Sequence, residues 1–137
     1  MRYTFTAWGH PKITGTHRNT IEFTKAKEMG KEADCIIGVK ADFEKELLKN
    51  FLQECRAAAS PQIKMDLKAG EQREFLYFKP NPVFDDENEI VLRISNFCSK
   101  RTLGVQATKS ARYLSRAFVS RLSHPEQEIV VTLTGMG

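Results

Sequence analysis

Tyr3-Thr4-Phe5-Thr6-Ala7 alternates apolar and polar positions, the period of a strand with one buried face. Gly9-His10-Pro11 breaks that pattern, and Pro11 biases His10 toward an extended backbone. Alternation resumes over Asn19–Thr24 with β-branched and aromatic residues, and Glu28–Lys31 reads as a turn or short helical piece. Cys35-Ile36-Ile37-Gly38-Val39 is a short apolar run that fits a buried strand. Asp42 is placed to cap a helix on which Leu47, Leu48, Phe51, Leu52 and Cys55 form one apolar stripe, ended by Ser60-Pro61. Strands follow at Ile63–Leu67 and Arg73–Phe78, joined by a turn at Ala69-Gly70-Glu71. Pro80-Asn81-Pro82 and Asp85-Asp86-Glu87-Asn88 make an exposed loop. Two more strands are expected at Ile90–Ile94 and Thr102–Val105. A second helix should run from a Thr108 cap to about Ser123, burying Ala111, Leu114, Phe118 and Leu122. His124-Pro125 stops it, and Glu128–Leu133 is the last strand.

The pattern repeats. Gly38-Val39-Lys40-Ala41-Asp42 precedes the first helix, and Gly104-Val105-Gln106-Ala107-Thr108 precedes the second, 66 positions later. At the same offset Leu48 meets Leu114, Ile63 meets Ile129 and Leu67 meets Leu133. Upstream the offset drifts to 69 at Asn19-Thr20-Ile21 against Asn88-Glu89-Ile90, and to 71 at Pro11 against Pro82, as loop insertions allow. The pattern predicts two strand–strand–strand–helix–strand units, about 1–70 and 71–137. Each is small for a core of its own, so together they should form one domain over residues 1–137 with one shared core. Fold class is therefore mainly β with two helices (α+β), internally duplicated.

Length and composition agree. A chain of 137 residues, 41% apolar and 28% charged, fits one soluble globular domain. No apolar run approaches the roughly 18 residues of a membrane span, and the opening Met1–Thr6 lacks a signal-peptide pattern. Cys35, Cys55 and Cys98 are odd in number and form no close pair, which argues for a reducing cytoplasm over a disulfide framework.

Charge is lopsided. Of 21 basic residues, seven lie between Ile90 and Pro125 with no acid among them, while all 17 acids lie elsewhere. Such asymmetry points to an anionic partner, RNA, DNA or a phosphorylated ligand. A solvated basic helix facing the acids of the other half is the competing reading. A second-helix N-terminus at Thr108-Lys109-Ser110, with Arg112 and Arg116 one turn apart and Lys100-Arg101-Thr102 leading in, would present amides, hydroxyls and cations to an anion. Arg112 and Arg116 lie off the apolar stripe, so replacing them by glutamine should leave stability nearly unchanged.

The first half holds the more enzyme-like constellation. His10 and His17 are seven apart, and Thr20, Glu22 and Thr24 share one face of the next strand. Two imidazoles and a carboxylate suit acid–base work near neutrality, or metal ligation. The spacing matches no zinc pattern, so no metal is expected, and turn-bonding histidines are the competing reading. Cys35 and Cys55 read as core thiols, and no phosphate-binding glycine loop or nucleophile elbow occurs.

Gly9-His10-Pro11-x-Ile13-x-Gly15-Thr16-His17-x-x-Thr20-x-Glu22-Phe23-Thr24, then Asp34–Val39 with Ala41-Asp42, and later Arg101-Thr102-Leu103 and Ala107, resemble the archaeal domain-of-unknown-function family 371. That resemblance implies an archaeal cytoplasmic protein and a β-sandwich related to jelly rolls. It supplies no activity. Pro80-Asn81-Pro82 departs from the glycine-histidine-proline form of the first half, which speaks against a symmetric pair of histidine sites.

Two functions stand out from the residues. One is a binding module for an anionic partner, using Lys100, Arg101, Thr102, Lys109, Arg112 and Arg116. The other is an enzyme using His10, His17 and Glu22 beside the same anion site. A basic helix docking on an acidic protein is a third reading. No cofactor and no membrane partner are expected, and whether the chain is an enzyme rests on whether His10 and His17 line one pocket with Arg101.

Overall fold

Eight strands and two helices account for the regular structure of the computed structural model, which describes residues 1–30 and 33–136. They are β1 (Arg2–Trp8), β2 (Thr20–Thr24), β3 (Ile36–Gly38), α1 (Lys45–Arg56), β4 (Gln62–Ala69), β5 (Gln72–Pro80), β6 (Glu89–Arg93), β7 (Thr102–Val105), α2 (Arg116–Arg121) and β8 (Glu128–Met136). The architecture is mainly β with two helices, as the pattern predicts. Lys31, at the end of the turn expected at Glu28–Lys31, lies outside the described residues. No helix among the described residues is long and apolar enough to cross a membrane.

The strands form one sheet in the order β1-β8-β4-β5-β7-β6-β2-β3. Its layers, β1-β8-β4-β5 and β7-β6-β2-β3, are joined where Lys79 pairs with Val105 and Pro80 with Gly104. They meet again at the far edge through the Trp8–Val39 bridge, so the edges are stitched together. The β4 side chains Ile63, Met65, Leu67 and Ala69 alternate into the core. Phe5 packs edge-on against Phe23 at 5.4 Å and Phe43 at 5.9 Å.

The halves repeat one another's local geometry. The β2–β3 and β6–β7 pairs are both parallel, with register breaks at Glu22/Phe23 and Val91/Leu92. Lys40 and Gln106 both take left-handed backbone, φ 53° and 51°. The Asp42 carboxylate accepts the Thr6 amide proton at 2.7 Å, and the Thr108 hydroxyl accepts that of Tyr77 at 3.0 Å. Gly38 and Gly104 lie against aromatic rings, Phe23 and Phe78, where a Cβ would intrude.

The helices differ from expectation. Asp42 is spent on β1, also accepting from the Thr6 hydroxyl, so α1 starts at Lys45 with no side-chain cap at Glu44. Leu48, Phe51, Leu52 and Cys55 are buried as predicted, but Leu47 is 52% exposed. The second helix is broken: a 3-10 turn covers Ala111–Tyr113, and α2 starts only after Ser115, whose hydroxyl accepts from the Phe118 amide at 3.2 Å. Thr108 cannot cap it because its amide and hydroxyl serve Tyr77, and the Arg112 amide donates to the His17 carbonyl. Tertiary partners overrode a periodicity that one continuous helix would also satisfy.

Candidate functional site

In the β2–β6 pair, Glu22 stands opposite Val91 and Thr20 opposite Arg93. His17 and Asn19 precede β2, Cys35 precedes β3, Ser95 follows β6 and Arg101 precedes β7. Together with Thr20, Glu22, Val91 and Arg93 they line a cleft of about 390 Å³. Both halves of the chain therefore contribute to one polar hollow.

The side chain of Glu22 is 6% exposed and lies 3.5 Å from Arg101 Nη1, and the Cys35 thiol donates to its Oε1 at 3.8 Å. Burial, helped by a hydrogen bond and like charge from Glu89, raises its pKa to about 8; Arg101 and the Cys35 thiol pull the other way. Glu22 is thus a carboxylic acid able to hold its proton at neutral pH. Burial first, and then the Glu22 charge, push the Cys35 thiol up to about 11, which makes it a neutral donor rather than a nucleophile.

Two guanidinium groups face this acid. Arg101 is shared between Glu22 and Glu89, the latter at 3.3 Å. Arg93 makes no ion pair among the described residues. Its Nε donates to Thr102 Oγ1 at 3.0 Å, and its guanidinium carbon sits 4.8 Å from the Phe97 ring centroid. With Nε so fixed, the two terminal nitrogens remain as a preset fork.

His17 has a structural task as well. Its Nδ1 accepts from the amides of Asn19 at 3.0 Å and Thr20 at 3.1 Å, and lies 3.0 Å from the Thr20 hydroxyl. The neutral ring then carries its proton on Nε2. Sixty-nine positions later Asp86 Oδ1 accepts from the amides of Asn88 at 2.9 Å and Glu89 at 2.8 Å. A ring nitrogen in one half does what a carboxylate does in the other.

His10 lies elsewhere. Buried, it accepts the Lys12 amide proton on Nδ1 at 3.0 Å and places Nε2 3.3 Å from Glu28. It lines a separate hollow with Pro11, Lys12, Lys27, Lys40 and Pro125. The histidines do not converge, and among the described residues no three His, Cys, Asp or Glu side chains gather as a metal site.

The basic residues expected to form one anion surface are largely engaged. Lys109 pairs with Glu74 at 2.7 Å, and Glu74 also accepts the Ser115 amide proton. Arg116 folds back onto main-chain carbonyls, those of Ala111, Leu114, Gly15 and Arg112 at 2.9–3.2 Å. Thr102 is fully buried and supports Arg93. Arg112 is exposed beside the Tyr113 ring, Lys100 is exposed, and only Arg101 of the set lines the cleft. Arg93 was absent from that set. The signal for it was a cation inside the apolar run Ile90-Val91-Leu92-Arg93-Ile94, a position that calls for a partner or a purpose.

The fold and cleft define a mainly β protein with a polar hollow to which both halves of the chain contribute. The sequence matches the family described as Domain of unknown function (DUF371) over residues 5–136, and the chain belongs to that family. An uncharacterised protein of Methanocaldococcus jannaschii is 26% identical to it over 130 residues, covering 94% of this chain and 96% of the relative.

Proposed function

We propose that the protein binds a small anionic molecule in the β2–β6 cleft, with Arg93 and Arg101 taking the anionic group. The observation that carries this reading is the Arg93 fork, held in place by Thr102 and making no ion pair among the described residues. An anion brings the missing charge, and guanidinium geometry suits phosphate or carboxylate. The engagement of Lys109 and Arg116 within the fold favours such a ligand over a long nucleic-acid strand, which needs a continuous row of free cations.

The burial of Glu22 favours an enzymatic extension of the same reading, in which its protonated carboxyl acts as a general acid toward the bound anion. We read the halves as internal repeats, a reading supported by their matched hydrogen bonds and backbone angles. Three free cysteines support a reducing, cytoplasmic setting.

Titration calorimetry of the intact chain at pH 7 against small phosphates and carboxylates is the test. Saturable binding that Arg93→Gln weakens by about tenfold or more, with little change in unfolding midpoint, is the expected result. Absence of saturable binding, or binding indifferent to Arg93, overturns the proposal.

A further inference from the structure

Phe97 is 62% exposed, although it is among the largest apolar side chains in the chain. Its loop is held in place: Gln106 Nε2 donates to Asn96 Oδ1 at 2.6 Å, the Phe97 amide to Ser95 Oγ at 3.3 Å, and the Cys98 thiol to the Asn96 carbonyl at 3.5 Å. One face of the ring is occupied by the Arg93 guanidinium, the same group that lines the cleft. Anion fork and aromatic ring are thus adjoining parts of one surface.

The corresponding loop of the first half is built differently. Its Ala26 stands 69 positions before Ser95, and there Glu28 is exposed while Met29 is turned into the core. A loop of similar position can therefore bury its apolar side chain, and the second half leaves an aromatic one in solvent beside an arginine.

We propose that Phe97 is a specificity-determining residue, and that the ligand of the cleft carries a planar ring next to its anionic group. Such a ligand places its anion on Arg93 and Arg101 and lays its ring against Phe97. The contact removes apolar surface from water beside the guanidinium. This inference rests on the cleft being an anion site.

Phenyl phosphate and methyl phosphate, which share the anionic head and differ in the ring, serve as probes for titration of the intact chain. Phenyl phosphate is expected to bind about tenfold more tightly. Within the Phe97→Ala variant phenyl and methyl phosphate should bind equally, while Phe97→Trp restores the preference. The exposed position leaves the unfolding midpoint of both variants close to that of the parent chain. Equal affinities for the two probes, each still dependent on Arg93, overturn the role of Phe97 and leave the anion site standing. Binding of neither probe overturns the anion site and this inference together. A ring preference that survives Phe97→Ala also overturns the assignment.

Discussion

The two sides of the β2–β6 pair share a backbone and differ in chemistry. The Ile94 amide donates to the Asn19 carbonyl at 3.0 Å, and the Lys25 amide donates to the Asn88 carbonyl at 2.8 Å, the same bond 69 positions apart. Ala41 likewise reaches the Thr24 carbonyl where Ala107 reaches that of Arg93. On one side the hollow holds Glu22, Arg93, Arg101 and His17. On the other it is lined by Thr24, Lys25, Ala26, Asn88 and Glu89. Thr24 stands where the second half has Arg93, and Val91 where the first half has Glu22. Backbone geometry matches on both sides, while a buried acid and a guanidinium with no ion pair among the described residues lie on one. That asymmetry, rather than the fold, marks the candidate site.

The largest expected effect tests whether the halves share a core. Phe23→Ala and Leu92→Ala, at matched buried positions, should each cost about 3–5 kcal/mol and keep a single unfolding transition. Two separate denaturant transitions would show that the halves fold independently and break the comparison.

Arg116 comes next. Replacing it by glutamine removes charge-assisted bonds to several carbonyls and should cost about 2 kcal/mol, against nearly nothing for the exposed Arg112→Gln. Equal denaturation midpoints for the two variants would return Arg116 to the solvated surface where sequence alone put it.

Glu22 gives the two sides different pH responses. Its folded pKa, about 8, lies above the ordinary 4.5, so the unfolded chain gives up this proton first as pH rises. The stability tied to its protonation is full below about 4.5 and is lost as pH rises through about 8. Glu22→Gln cannot titrate, so its stability relative to the parent chain should rise across that window in denaturant titrations at pH 5 and pH 8.5. A constant difference would mean that Glu22 is ionised in the fold.

The smallest effect concerns the matched turns. His17→Ala and Asp86→Ala each remove an acceptor for two amides and should each cost about 1 kcal/mol. Thermal melts showing no cost at His17 would free the imidazole from its structural role.

Much of the strand framework was legible because it depends on local alternation. Ile63, Met65 and Leu67 announce β4, and Thr102–Val105 appears as a strand with the bounds expected. The matched local geometry at Gly38-Val39 and Gly104-Val105 was also legible, since glycine is required where rings crowd the backbone. The second helix was misread because the spacing of Ala111, Leu114 and Phe118 suits one long helix as well as a 3-10 turn followed by a short one. Only the pull of Tyr77 and His17 on Thr108 and Arg112 separates these.

The candidate site divides in the same way. Residue chemistry alone singled out Glu22, His17 and Arg101, because a carboxyl, an imidazole and a guanidinium are functional wherever they meet. Their meeting depends on β2 pairing with β6 across some 70 residues of chain, and no local pattern encodes that register. It is the pairing that buries Glu22 and brings Arg93 beside it, while the bond from the His10 amide to the Leu122 carbonyl holds His10 at another hollow. Sequence by itself determined which groups were available and which segments became strands, because both follow from side-chain chemistry and near-neighbour periodicity. Tertiary structure alone decided which of those groups lost water and which found partners, because desolvation and pairing depend on long-range contacts.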